Sequence, residues 1–227
     1  MSVELIVLDD EGAATEAAAE LLAEAARRGG HIALSGGSTP EQAYERAATL
    51  EPAFGEVELW WGDERCVPPD DERSNFLMAE RAMIRHLQEP PREIHRIRGE
   101  LEPAKAADEY DETLRDVRFA VNLLGIGPDG HTASLFPNSW ALDETERLAV
   151  AVAPGLEPMV PRVTLTPPAL CNADTVLFLA TGEAKAEAAA RAFAAPESRA
   201  TPASVVRSRG GRTIAILDRA AAALLRD

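Results

Sequence analysis

A three-layer α/β sandwich on a mostly parallel central sheet is the fold class this sequence predicts, and three observations predict it. Apolar runs of about five residues alternate with segments of helical apolar spacing. No repeat and no long linker interrupts the alternation. Several of the runs end abruptly in glycine-rich or charged turns, as strands of a Rossmann-like sheet do where they leave the core. With 227 residues, 46% of them hydrophobic, the chain is long enough to bury a sizeable core, and residues 1–227 are expected to form a single domain.

Ile6-Val7-Leu8 reads as the first strand. The alanine-rich segment 13–28, with Leu21, Leu22 and Ala25 at helical spacing and Gly29-Gly30 behind it, reads as a helix and its stop signal. His31 to Ser35 is a short buried strand that runs into Gly36-Gly37-Ser38-Thr39-Pro40. Here Thr39 suits an N-cap, Pro40 the first helical position and Gln42 a capping box. Val57 to Trp61 is a third strand, followed by Gly62-Asp63-Glu64-Arg65, a Pro68-Pro69-Asp70-Asp71 turn, and a helix capped by Ser74 with Leu77, Ile84 and Leu87 on its core face. Ile94 to Ile97 reads as a short strand, and Pro103 opens a helix to about Leu114.

Phe119 to Leu124 is a strand, Leu148 to Val152 another, and Arg162 to Thr166 another, with Pro167-Pro168 opening a short helix. Thr175 to Ala180 is a strong strand leading into Thr181-Gly182-Glu183-Ala184-Lys185 and a helix to about Ala194. Residues 196–204 read as an exposed loop, and Thr213 to Leu217 with a helix capped by Asp218 close the chain. Ligands of such sheets sit outside the carboxyl ends of the strands, where strand order reverses. The Gly36–Thr39, Asp63–Arg65, Gly125–His131 and Thr181–Lys185 turns all follow strands and are expected on that one edge.

Composition narrows the partners. A net charge of −15 argues against nucleic acid and against an anionic membrane surface, both of which are held by clustered lysine and arginine. An anionic small molecule would need a locally positive pocket, so isolated cations at strand ends become informative. Lysine occurs at positions 105 and 185, and Lys185 is at such an end. The first ten residues have no basic leader and too short an apolar run for a signal peptide or membrane span, so the expected compartment is the cytoplasm. Cys66 and Cys171 lack metal-site or disulfide spacing and read as structural thiols, the acidic neighbours of Cys66 opposing a thiolate.

The stretch Leu123 to Pro137 concentrates the chemistry: glycines, Asp129 and His131 at a strand exit. Gly125-Ile-Gly-Pro-Asp-Gly130 fits the dinucleotide pattern GxGxxG in form, but Asp129 would face a pyrophosphate with like charge and no packing helix of sufficient length follows. His131 is the expected general base, kept neutral by a turn of helix over Thr132–Phe136 and oriented by Asp129 or Asp63. The Ser35, Gly36, Gly37, Ser38 and Thr39 turn offers amides and hydroxyls to a phosphate. His31, His86 and His95 lack comparable surroundings and no metal-ligand spacing occurs, so no metal is expected, and no GxSxG elbow is present. A neutral histidine, an anion seat, Arg65 beside Asp63 and Lys185 suit water attack on a phosphorylated substrate and suit proton shuttling in an isomerase equally.

Ser35-Gly-Gly-Ser-Thr-Pro40, Trp61-Gly-Asp-Glu-Arg65, Gly125 to Pro137, Arg162-Val-Thr-Leu-Thr166 and Gly182-Glu-Ala-Lys185 together resemble the 6-phosphogluconolactonases, over nearly the whole chain and in that family's order. The resemblance implies hydrolysis of 6-phospho-D-glucono-1,5-lactone to 6-phosphogluconate in the oxidative pentose phosphate pathway, without metal or organic cofactor. It implies His131 as base on water, Arg65 at the lactone or its oxyanion, and Lys185 with the Gly36–Thr39 turn on the phosphate. Arg162 and Ser74 are implied as further pocket residues, in a monomer or small homo-oligomer. The chain is also similar to the amino-sugar-phosphate deaminases, which typically carry a glutamate five residues after that histidine; Phe136 stands there in this chain, which favours the lactonase.

Overall fold

A computed structural model describes residues 2–155 and 157–225. The chain begins β1 (Val3–Leu8), α1 (Glu11–Arg28), β2 (Gly30–Leu34), α2 (Ser38–Leu50) and β3 (Val57–Trp61). It continues with β4 (Asp63–Arg65), α3 (Asn75–Ala82), β5 (Glu93–His95), α4 (Pro103–Thr113) and β6 (Phe119–Leu124). β7 (Ala149–Val152), β8 (Arg162–Leu165), α5 (Pro167–Leu170), β9 (Ala173–Ala180), α6 (Ala186–Phe193) and β10 (Arg212–Asp218) follow. Among the described residues no helix is long and apolar enough to cross a membrane.

Seven strands make one sheet in the order β1-β10-β9-β6-β2-β3-β5, and every pairing in it is parallel. Consecutive residues of β9 and β10 are buried, so helices cover both faces, as a parallel sheet requires. The strand order reverses between β2 and β6: β3 and β5 continue on one side, β9 and β10 on the other. Small side chains bring the covering helices close. Ala14, Ala18 and Ala25 of α1 and Ala43 and Ala47 of α2 are all fully buried. Asp10 caps α1 by accepting from the Ala13 amide at 2.8 Å.

Two buried tyrosines hold the strand ends that feed the functional edge. The Tyr44 hydroxyl accepts from the Ser35 amide and donates to the Ser35 carbonyl, each at 2.8 Å. Tyr110 does the same for Trp61, at 2.9 and 3.0 Å. The backbone groups left without ladder partners where β2 and β3 end are thereby satisfied inside the protein.

Four expectations need correction. β4, β7 and β8 form a separate three-stranded antiparallel sheet. The chain leaves β3 at Gly62, whose carbonyl accepts from Leu165, and this turns Asp63–Arg65 onto β8 instead of into a loop. α2 begins at Ser38 with Gly37 as its cap, and no side chain caps it. Thr39 bonds to Thr181 and Gln42 to Glu11 instead. No helix follows Asp218 among the described residues; its carboxylate accepts from Gly182 at 3.0 Å and Ala221 at 2.7 Å, tying the end of β10 to the turn after β9. Within residues 196–204, Thr201 to Ser204 are buried, not exposed.

Replacing Tyr44 by Phe leaves the buried amide and carbonyl of Ser35 unpaired, so the variant is expected to lose about 2–4 kcal/mol. Urea unfolding should show a lower midpoint at an unchanged slope; an unaltered midpoint would show that water replaces the hydroxyl at no cost.

Candidate active site

The four strand-end turns meet in a cleft of about 260 Å³ at the reversal between β2 and β6. Its walls include Ser35 to Thr39 after β2, Asp63 and Arg65 after β3, Gly125 to Pro128 and His131 after β6, and Thr181 and Lys185 after β9. Asn75 and Arg162 complete the polar lining.

The loop after β6 is tightly folded. The Gly127 amide donates to the His131 carbonyl at 2.9 Å, the Gly130 amide to the Gly127 carbonyl at 2.9 Å, and the Thr132 hydroxyl to the Gly125 carbonyl at 2.9 Å. This geometry lets side chains two residues apart meet. Asp129 Oδ1 lies 2.6 Å from His131 Nδ1 and accepts from the His131 amide at 3.1 Å. Glycine is required at 127 because a β-carbon there would strike the imidazole ring and the Asp129 carboxylate.

Burial works against the Asp129 charge, but the amide and ring of His131 outweigh it and hold the carboxyl below its ordinary range. An ionised Asp129 makes Nδ1 the donor and leaves Nε2 as the basic nitrogen of the ring. The His131 side chain is 19% exposed, so the ring is open to the cleft and not walled off. The expected turn of helix after it does not form: Thr132 and Leu135 make an isolated bridge and Ala133 has φ 48°. Asp129, in place of a helix dipole, orients the ring.

Asp63 has a different task. Its Oδ2 accepts from the Ser134 hydroxyl at 2.5 Å, and its carbonyl accepts from the Asn75 side-chain Nδ2 at 2.9 Å. It joins the β4 wall to the segment behind His131 and makes no hydrogen bond to the imidazole. Arg65 and Arg162 are register partners across β4 and β8, so two guanidinium groups share one wall. Arg65 Nη1 donates to the Arg73 carbonyl at 2.7 Å. Burial, with the nearby Arg65 charge, lowers Arg162 against the opposing pull of Asp63 and Glu64. Arg162 lies over the Phe136 ring at 5.8 Å, and that ring stands 5.3 Å from His131.

Ser74 is not among the cleft residues. Its hydroxyl caps α3 by accepting from Leu77 and donates to Glu64 Oε2 at 3.0 Å. Glu64 is 3% exposed and also accepts from the amides of Arg65, Asn75 and Phe76. Burial pushes its carboxyl up while these donors pull it down. Burial, then Glu64 and Glu102, push the Cys66 thiol up to about 11, which disfavours its thiolate.

The Ser35 to Thr39 turn follows the end of β2. Gly37 has φ 112°, a conformation that suits glycine, and it leaves the first amides of α2 without a side-chain cap. The Ser35 hydroxyl is buried and without a partner among the described residues. Thr39 and Thr181 hydroxyls meet at 3.0 Å and join this turn to the one carrying Lys185. Burial lowers Lys185 and the Asp129 charge opposes that shift. The ammonium has no ion pair or hydrogen bond among the described residues.

No sequence motif pointed to Asn75 or Ser134, while Thr181 and Glu64 were expected on the ligand edge only as parts of their turns. An asparagine behind a capping serine, in the first turn of a helix, was the one local signal for Asn75.

A family described as "Glucosamine-6-phosphate isomerases/6-phosphogluconolactonase" matches residues 9–215. The 6-phosphogluconolactonase of Haemophilus influenzae is 38% identical over 204 residues, 86% of this chain and 87% of that protein. The human 6-phosphogluconolactonase is 36% identical over 206 residues, 86% of this chain and 80% of that one. The structure of 6-phosphogluconolactonase from Trypanosoma cruzi superposes with a TM-score of 0.86 at 29% identity, covering 100% of this chain and 99% of that chain.

Nitrogen-15 NMR of the imidazoles should show His131 protonated at Nδ1 and bare at Nε2, with the preference lost in Asp129→Asn. A proton on Nε2 in the unaltered protein would contradict the orientation described.

Proposed function

The chain belongs to the glucosamine-6-phosphate isomerase/6-phosphogluconolactonase family, and from that premise we propose that it hydrolyses 6-phospho-D-glucono-1,5-lactone to 6-phosphogluconate by general-base activation of water. One observation carries the mechanism: the Asp129-oriented imidazole and the seat of Lys185 with Ser35 to Thr39 line the same cleft.

The 6-phosphate binds the uncapped amides of Ser38 and Thr39, the Ser35 and Thr39 hydroxyls and the Lys185 ammonium. This places the lactone carbonyl toward His131. Nε2 takes a proton from water as the oxygen attacks C1; Arg65 stabilises the oxyanion; the ring oxygen then leaves and recovers the proton from the imidazolium. Asp129 stabilises that imidazolium, and Arg162 adds positive potential to the wall. No covalent intermediate, metal or organic cofactor is needed for an activated ester.

The isomerase and deaminase reading is less favoured. Ring opening and proton shuttling need a second proton-transfer group, and the ring packed against His131 is that of Phe136. Among the described residues the acidic side chain in the cleft lining is Asp63, which is engaged with Ser134 and Asn75. The two free cysteines support a reducing compartment, and the reading proposed is a cytoplasmic enzyme at the lactone step of the oxidative pentose phosphate pathway.

A lactonase assay corrected for spontaneous opening separates the two ends of the substrate. His131→Ala should cut kcat at least roughly a hundredfold with little change in affinity, and Lys185→Ala should raise KM; wild-type turnover in the first or an unchanged KM in the second overturns the corresponding role. Because burial lowers Lys185, its charge is lost as pH rises before an exposed lysine would deprotonate. Calorimetric affinity for 6-phosphogluconate should therefore fall on the alkaline side, and Lys185→Arg should move that fall to higher pH. A limb that stays in place would remove Lys185 from the phosphate.

A further inference from the structure

Away from the cleft, the β3/β5 edge of the sheet gathers a second set of polar groups. Glu58 and Glu93 are direct register partners on adjacent parallel strands, and Trp60 and His95 are the next pair on the same face. Like charges placed directly opposite repel, so a cation between the carboxylates would relieve this pairing. The nearby arginines do not supply it: Arg92 pairs with Glu56, Arg96 with Glu100, and Arg98 with Glu100 and Glu109. Among the described residues the ion partners of Glu58 and Glu93 are imidazoles, those of His31 and His95.

His95 is held in a fixed pose. Its ring stacks on Trp60 with centroids 3.8 Å apart and planes 12° from parallel. Its Nε2 is hydrogen-bonded to Glu58 Oε2 at 2.9 Å and lies 3.6 Å from Glu93 Oε2. The Trp60 indole donates to His31 Nδ1 at 3.1 Å, which occupies that nitrogen and leaves three donors at the centre. Ligand atoms of Glu58, Glu93 and His95 all lie within 4.8 Å of one another. Donors around tetrahedral zinc, each about 2.1 Å from the metal, stand about 3.4 Å apart, and the two nitrogen-to-oxygen separations bracket that distance.

We propose that Glu58, Glu93 and His95 bind one divalent transition-metal ion, zinc by the character of its donors, which clamps the three-residue strand β5 to β3. One imidazole nitrogen and two carboxylates select a borderline first-row ion over magnesium or calcium, which take oxygen donors. Water fills the remaining coordination positions on the solvent side, where the Glu93 side chain is 63% exposed. None of the three residues lines the cleft, so the ion is structural and takes no part in lactone hydrolysis.

Chelator-treated full-length protein titrated with zinc alone by calorimetry should bind one ion per chain. Glu93→Gln, at an exposed position that leaves the core untouched, and Glu58→Gln should each weaken binding at least about tenfold, with lactonase kcat/KM unchanged in Glu93→Gln. Cobalt(II) should give a visible absorption band that zinc abolishes, and zinc should slow amide exchange across residues 93–95. Absence of saturable zinc binding, equal competition by magnesium, or equal affinity in both variants would overturn the proposal. The last of these would place bound zinc elsewhere and leave His95 as a hydrogen-bond partner of Glu58.

Discussion

The 2.6 Å contact between Asp129 and His131 Nδ1 is the interaction on which the functional edge depends. It links two residues whose backbones must fold tightly before their side chains can meet. The surrounding structure enforces that fold. Gly127 leaves room for the imidazole, the Ala203 amide donates to the Gly130 carbonyl at 3.0 Å, and Arg191 donates to the Pro128 carbonyl at 3.1 Å. The buried Thr201–Ser204 turn therefore braces the loop from behind, and β6 fixes it from the front. An imidazole carried on such a loop is held in place by backbone hydrogen bonds together with Asp129 and the Arg191 guanidinium.

The acidity of the whole molecule gives the cleft its second property. A chain of net charge −15 offers an unfavourable field to a phosphorylated substrate. The cleft counters this locally with Arg65, Arg162, Lys185 and the uncapped start of α2. Burial costs Arg162 and Lys185 part of their preference for the charged form, with Asp63 and Asp129 opposing that cost. Desolvation of these cations also strengthens their attraction for any anion that enters the cleft.

Much of this was legible in the residues. Alternating apolar strands and helices specified the parallel sheet, and the turns after β2, β3, β6 and β9 were placed together because strand ends in such sheets share an edge. What escaped depended on long-range pairing. Asp63–Arg65 reads locally as a charged loop, and it becomes β4 because β8, about a hundred residues later, offers it a partner. Thr39 has a capping composition, yet Gly37 takes the cap and frees the hydroxyl for Thr181. Ser74 was correctly a helix cap, but Glu64 draws its hydroxyl away from the cleft. Glu58, Glu93 and His95 carry no motif because strand register, and not spacing in the chain, brings them together.

The central claim is spatial: imidazole and phosphate seat act on opposite ends of one sugar phosphate in one cleft. A crystal structure with 6-phosphogluconate tests it most directly. The account predicts the phosphate against the Ser38 and Thr39 amides and the Lys185 ammonium, with the C1 carboxylate beside His131 Nε2 and Arg65. A phosphate bound elsewhere, or a C1 carboxylate out of reach of His131, would contradict it.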